Sequence, residues 1–413
     1  MRPVFFEDAN LKGFGHLTLM RHVGQLSRGT KGLLEALRES VTDATDFDIW
    51  GRAHLADTCR ESLGKDYNQK AEGLTTFVNA RAVPGKLLLE LTSRKTPFVA
   101  LAGGEVLAAR VRGAELQPGP IGAREAARLR RKVEALEAPA GSLFEGYWDL
   151  VQSNGLAIAE QSRRPEVPMP LPGAVEVRGP RSNLMIDARA EVEALVAFDT
   201  RLGPVIVAQG ATVESFSRVM GPCYVGPRSK VHSALLGGGT SVFEGCKVGG
   251  QVDNSIIMAH TNKAHHGYVG DSYVGEWVNL GAGSTFGNLK NTYGNVRLDI
   301  GGKRHDTGMV KLGPAVGDMS KVAIGALVYS GKLLGAGCHL AGLADANVPS
   351  FTFRSGDGRM VELKVESVLE TQRRMMERRA KTLSRAGEAL IRRAFRETAA
   401  ERRKAEVTRG PLS

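Results

Sequence analysis

Val207-Ala-Gln-Gly-Ala-Thr-Val-Glu-Ser-Phe-Ser-Arg-Val-Met-Gly-Pro-Cys-Tyr-Val-Gly-Pro-Arg-Ser-Lys-Val231 decides the fold of this chain. Its valines at 207, 213, 219, 225 and 231 recur every six residues. Six is neither the period of about 3.6 of a helix nor the period of about 2 of a half-buried strand. The beat slips around Leu236 and returns at Val310, Val316, Val322, Val328, Leu334 and Leu340, again in sixes. A hexapeptide beat marks a parallel β-helix, in which three short strands make one triangular coil. The β-branched residues point into the narrow prism. Glycine follows the apolar position in Val225-Gly226, Val248-Gly249, Leu280-Gly281, Val316-Gly317 and Leu334-Gly335, where a tight corner is expected to need positive φ. One coil cannot bury its own core, so stacked coils must do it together.

Composition agrees. Gly reaches 50 of 413 residues and aromatics only 6%, as suits a thin prism with little room for rings. No apolar run reaches the ~18 residues of a membrane span. The N-terminus has no signal-peptide apolar region, and a cytoplasmic protein is expected. Cys59, Cys223, Cys246 and Cys338 lack CxxC spacing and read as reduced packing residues. Of the net charge of +11, six units sit from Ser355 onward, where 15 Lys/Arg face 9 Asp/Glu. No aromatic-basic interleaving accompanies them, so a basic helix and anionic small-molecule substrates are expected rather than nucleic acid.

Ahead of the β-helix, Pro3 to Phe6 reads as a short buried strand. Leu17 to Thr30 follows as a loop carrying Arg21 and Arg28, and Lys31 to Arg38 as a helix. Strand, basic Gly-containing loop, helix is the layout of a phosphate site at a helix N-terminus, with both arginines facing one pocket. Strands around Thr75–Arg81 and Pro97–Leu101, and helices over Arg124–Glu137 and Tyr147–Asn154, make this an α/β domain. Four prolines between Arg164 and Gly173 mark the domain boundary. The expected division is an α/β domain over 1–165, a β-helix over 175–350 and a C-terminal helix over 360–406. The beat fails from Phe286 to Met309, which predicts an excursion loop. From about Val361 to Glu406, Leu369, Met376, Leu383 and Leu390 repeat in sevens and predict an amphipathic helix, broken at Gly387, that docks on its own domain or on a neighbouring subunit; the two ends of an open β-helix need covering.

The chemistry-bearing stretch is Asn262-Lys-Ala-His-His-Gly-Tyr-Val-Gly-Asp271, followed by Val274-Gly-Glu-Trp-Val-Asn-Leu-Gly-Ala-Gly283. Ala264-His-His-Gly-Tyr-Val-Gly-Asp271 and Val278-Asn-Leu-Gly-Ala-Gly283 resemble the acetyltransferase half of the GlmU-like family. Those bifunctional bacterial enzymes make UDP-N-acetylglucosamine, coupling glucosamine-1-phosphate acetyltransferase to N-acetylglucosamine-1-phosphate uridylyltransferase. The chain is still more similar to divergent sugar nucleotidyltransferases with a hexapeptide-repeat C-terminal domain. Leu17-Thr-Leu-Met-Arg21, Asn79-Ala-Arg81 and Tyr147-Trp-Asp-Leu150 echo their pattern.

The resemblance implies an N-terminal nucleotidyltransferase-like domain, a left-handed β-helix, a homotrimer and an acetyl-transfer site between adjacent β-helices. It puts the catalytic base on His265 and the sugar-phosphate contacts on Tyr268, Asn279, Asn288 and Lys290, with acetyl-CoA passing Ala282. The substrate would be a small sugar phosphate or nucleotide sugar, with no metal in the acetyl-transfer site. Acetyl transfer to a sugar amine needs the ammonium deprotonated as it attacks the thioester, and a histidine of pKa about 6.5 can take that proton. Two other readings stand beside this one: a nucleotidyltransferase using Mg²⁺, and a non-catalytic sugar-nucleotide sensor or assembly platform. The first domain lacks the family's Gly-rich nucleotide loop, and no Asp or Asn stands out in it as the Mg²⁺ ligand.

Overall fold

The computed structural model describes residues 2–42, 46–162 and 171–410. Most of the proline-rich connector expected over 164–173 lies outside them. By internal contacts the chain divides into two units. The first comprises 1–27, 31–146 and 385–390. The second comprises 28–30, 147–384 and 391–413.

The first unit is a six-stranded mixed sheet. Strands β1 (Val4–Phe6), β2 (Asp48–Trp50), β3 (Leu74–Asn79), β4 (Phe98–Ala102), β5 (Glu105–Arg112) and β6 (Glu134–Glu137) lie in the order β2-β1-β3-β5-β4-β6. β1 runs parallel to β2 and β3, and β5 is antiparallel to its neighbours. Val-Phe-Phe in β1 and Phe-Val-Ala-Leu-Ala in β4 are buried throughout, the unbroken apolar pattern of strands covered on both faces. Helices α1 (Leu33–Glu39), α2 (Ala56–Leu63), α3 (Lys86–Ser93) and α4 (Ala123–Arg130) complete the layers. The charged helix expected over 124–137 stops at Arg130, because Glu134–Glu137 pairs in parallel with β4 as the sheet edge. An exposed edge tolerates the charges that suggested a solvated helix.

The second unit is a parallel β-helix with three faces. Val192, Val213, Val231, Val248 and Lys263 stack in register on one inner row. Phe198, Val219, Leu236, Val252, Val269 and Phe286 stack on another. The slip at Leu236 is a register shift between His232 and Leu235. Val316 is the first inward residue of the second run. Val310, read as part of it, is 45% exposed and belongs to the excursion.

The glycines after the inward positions are not the positive-φ corners. Those fall three residues after the inward side chain, at Gly210, Gly283 and Gly325, and also at His260, Trp277 and Met319. The Gly249-type positions serve close stacking instead: a Cβ on Gly249 would stand 2.0 Å from the Ala264 carbonyl oxygen, and one on Gly281 2.6 Å from the Ile324 nitrogen.

Between Phe286 and Ala315 the coil is interrupted, yet Tyr273 still pairs with Ala315. The excursion contains an antiparallel hairpin, Arg297–Ile300 with Lys303–Asp306. Its two-residue Gly301-Gly302 turn has both φ positive, the geometry that closes a tight hairpin.

Helices α5 (Tyr147–Gln152) and α6 (Asn154–Gln161) pack within this unit, with Asn154 Nδ2 donating to the Gly239 carbonyl at 2.8 Å and the Tyr147 hydroxyl to the Gly313 carbonyl at 3.0 Å. After Met360, the single C-terminal helix expected is three: α7 (Val365–Glu377), α8 (Arg385–Glu397) and α9 (Ala399–Lys404). The break falls at 378–384, where Ala380 takes φ +51°, and Gly387 lies inside α8. Leu383 sits in that turn, so the seven-residue spacing is not one stripe. The last rung, Thr352–Arg354, is closed by an antiparallel strand, Met360–Glu362. Arg402 of α9 stacks 4.2 Å from the Phe395 ring and binds Glu362 at 2.7 Å. The open end expected to need cover has it.

Candidate functional site

One corner of the β-helix gathers most of the residues singled out above. Asn262 and Asn279 are register partners on one face, with Asn262 Nδ2 donating to Asn279 Oδ1 at 2.8 Å. The chain then turns through His265 and His266, both exposed. On the next face Tyr268 pairs with Thr285. The rung below turns at Ala282 and Gly283, and the Gly283 N–H donates to the His266 carbonyl at 2.9 Å. A methyl group on Gly283 would stand 3.4 Å from His266 Nε2, so the His266 ring lies against this glycine.

Beyond the corner, Asn288 Nδ2 donates to the Tyr268 hydroxyl at 2.9 Å and to Asp271 Oδ2 at 2.5 Å, and Asn254 holds the other Asp271 oxygen at 2.7 Å. Burial, with the charges of Asp253 and Asp271, pushes the Tyr268 phenol up to about 12. Tyr268 therefore stays a neutral donor and acceptor at physiological pH. Lys290 lies further out. It donates to the Asn295 carbonyl at 2.9 Å and lines a cavity of about 770 Å³ formed with the excursion hairpin and Tyr329.

Lys263 was not singled out from sequence, although Ile257, Lys263 and Val269 keep the six-residue beat that marks inward positions. It is 1% exposed inside the prism, above Leu280. Its ammonium donates to the Gly249 carbonyl at 2.7 Å and to the His265 carbonyl at 2.8 Å. Burial holds it down at about 8. An apolar core position has been given a charged side chain whose head ties down the histidine corner from within. On the Asn279 face, Lys321 donates to the Trp277 and Met319 carbonyls at 2.9 and 2.7 Å, and burial holds it down at about 7.

The first unit gives the phosphate-site expectation no support. Arg21 and Arg28 fall in different units. Arg28 is buried, its Nε donating to the Ser153 hydroxyl at 2.7 Å. Helix α1 has only seven residues.

The carboxylates at the strand ends do not suit Mg²⁺ either. Arg81, 1% exposed, is bonded to both carboxylate oxygens of Asp8 and, at 2.5 Å, to Glu105. Against the burial that opposes ionisation, Asp8 and Glu105 raise the Arg81 pKa and keep it charged. Asn79 Nδ2 donates to Asp8 as well, at 2.8 Å. The guanidinium fills the space between carboxylates where a hard cation would sit. Among the described residues no group of three His, Cys, Asp or Glu could hold a metal.

The molecule is thus a hexapeptide-type β-helix protein with a mixed α/β domain ahead of it. Residues 3–164 match the family described as sugar nucleotidyl transferase. The chain is 35% identical over 99 residues to a bifunctional sugar-1-phosphate nucleotidylyltransferase/acetyltransferase of Sulfurisphaera tokodaii, covering 24% of this chain and 25% of that protein. It is 31% identical over 173 residues to the bifunctional protein GlmU of Nitratidesulfovibrio vulgaris, covering 40% and 34%. The chain thus spans about a quarter to a third of the length of these relatives. The UDP-N-acetylglucosamine acyltransferase of Francisella novicida aligns at 13% identity over 58% of this chain and 94% of that one, with a TM-score of 0.32, a level that bears on neither fold nor reaction.

Proposed function

We propose that this protein is a transferase of sugar-nucleotide metabolism whose β-helix moves an acetyl group from acetyl-CoA to the amine of an amino-sugar phosphate or nucleotide-linked amino sugar. The observation that carries this reading is the single corner at which His265, Ala282, Asn279 and the Tyr268–Asn288 pair come together.

The sugar amine arrives as an ammonium and must lose a proton as nitrogen attacks the thioester carbon. His265 is exposed at the corner and accepts that proton. The nitrogen–carbon bond forms, the carbon–sulfur bond breaks, and the second proton of the nitrogen goes to the departing sulfur, so that CoA leaves as the thiol. Tyr268 and Asn288 hold sugar hydroxyls, Asn279 and Lys290 face the phosphate-bearing end, and acetyl-CoA passes Ala282. Lys263 holds the His265 backbone. Adjacent β-helices of a homotrimer close the site. Arg21 and Arg28 have no part in this reaction.

The test offers glucosamine 1-phosphate with acetyl-CoA and follows free thiol. A parallel assay offers sugar 1-phosphates with nucleoside triphosphates and Mg²⁺ and follows pyrophosphate. Thiol release that needs the amino sugar supports the reading. Pyrophosphate release without thiol release replaces it with nucleotidyl transfer, and neither product leaves the sensor.

A further inference from the structure

Lys247, Asn262, Asn279 and Lys321 come from four successive rungs and are register partners in that order. Neighbouring strands lie about 4.8 Å apart, so their side chains form a column about 14 Å long on one face. Helix α7 and the turn after it bring Arg374, Arg378 and Arg379 over this column, leaving a cavity of about 410 Å³ between them. Of its eight lining residues four are fixed cations, a fifth is Lys321, which burial holds down at about 7, two are amides, and none is acidic.

The nearby partners do not neutralise it. Arg374 Nε shares Glu370, at 3.0 Å, which lies outside the lining, while Arg379 and Lys321 spend donors on backbone carbonyls. Asn262 gives its N–H to Asn279, and its own Oδ1 is enclosed with no partner. Positive charges gathered along one groove repel one another, although Lys247, Arg374 and Arg378 are themselves exposed. Phosphate oxygens placed between the cations relieve that repulsion.

We propose that this pocket binds a small molecule through a diphosphate or comparable polyanionic group. The chemistry is that of a nucleoside diphosphate or a sugar diphosphate. The assignment of this ligand to the transferred acceptor rests on the acetyl-transfer reading, because Asn279 borders the His265 corner. The pocket itself does not rest on it.

The experiment titrates the full chain with pyrophosphate by calorimetry at low ionic strength, with sulfate as the control anion. Saturable pyrophosphate binding that sulfate does not match is expected. Lys247→Ala and Arg378→Ala should each weaken it about 10-fold or more, Arg378→Lys should recover part of the loss, and His265→Ala should leave it unchanged. Absence of binding at millimolar pyrophosphate, equal binding of sulfate, or indifference to both alanine variants overturns the proposal. Pyrophosphate binding in a protein that transfers no acetyl group keeps the pocket and removes the acetyl-transfer reading. Acetyl transfer without pyrophosphate binding removes the pocket alone.

Discussion

His265 is exposed, so truncating it removes little packing. His265→Ala should lower kcat for acetyl transfer by about 10²–10⁴-fold while leaving the melting temperature nearly unchanged. Full activity with lost stability would make it a structural residue. Lys263 is the converse case. Its folded-state pKa of about 8 lies below the unfolded value of about 10.5. Between the two the unfolded chain binds more protons than the folded one, so this group makes stability rise with pH from about 8 upward. The full span is worth about 3 kcal/mol. Above pH 9 the thiols of Cys223, Cys246 and Cys338, pushed by burial up to about 12, act with the opposite sign. Lys263→Met should therefore flatten the rise in urea-unfolding free energy between pH 8 and 9. It should also lower kcat, since the His265 carbonyl loses its anchor. An unchanged pH slope would mean that Lys263 is solvated and keeps an ordinary lysine pKa in the folded protein. Arg81 is the third such residue. Arg81→Ala leaves Asp8 buried without its partner and should cost about 3–5 kcal/mol, read by urea unfolding. Millimolar Mg²⁺ should leave the wild-type unfolding midpoint where it is, because Asp8 and Glu105 are already taken.

At the scale of elements, the coil tolerates long excursions and does not tolerate added methyl groups. A loop between adjacent rungs costs little closure entropy as it lengthens. Replacing 291–308, hairpin included, with a short glycine linker should therefore leave the β-helix folded while removing one wall of the cavity beside Lys290. Circular dichroism and a melting curve check the first half, and acetyl-transfer kinetics the second. Gly249→Ala is the opposite experiment. With a carbonyl oxygen 2.0 Å from the new Cβ, two rungs must separate beside the Lys263 ammonium. The expected loss, of the order of 1–3 kcal/mol as for overpacked cores, should come with loss of activity. Tolerance of this change would mean the rungs slide freely at that corner.

For the whole molecule, the row that carries Tyr268 and Thr285 continues through Leu327 and Leu343. Leu327, Tyr329 and Ile324 on and beside it are 48%, 55% and 78% exposed. Apolar side chains on the face that borders the His265 corner suit the packing of a second β-helix there, as the proposed homotrimer would have it. Sedimentation velocity at micromolar concentration should give three chains per particle. A stable, fully active monomer would remove the intersubunit site.

Much was legible because it was local and periodic. The six-residue beat identified the β-helix, since a repeating coil imposes the same inward demand on every rung. The run through Val231 is buried rung by rung. The histidine corner was legible as a motif. Positions that depend on what stacks above or below were not. Gly249 and Gly281 looked like corners and are contact points between coils, because the approach of the next rung is a distance and not a pattern. Lys263 kept the beat while breaking its chemistry, and only the folded prism supplied the two carbonyls that make a buried ammonium tenable. Glu134–Glu137 became a strand because an edge was open beside β4. Asp8, Arg81 and Glu105 lie far apart in the chain, and only the sheet brings their charges together. The pocket beneath α7 draws one residue from each of four rungs and four from α7 and the turn after it, more than fifty residues further on. A chain read in order cannot show a column that exists only across coils.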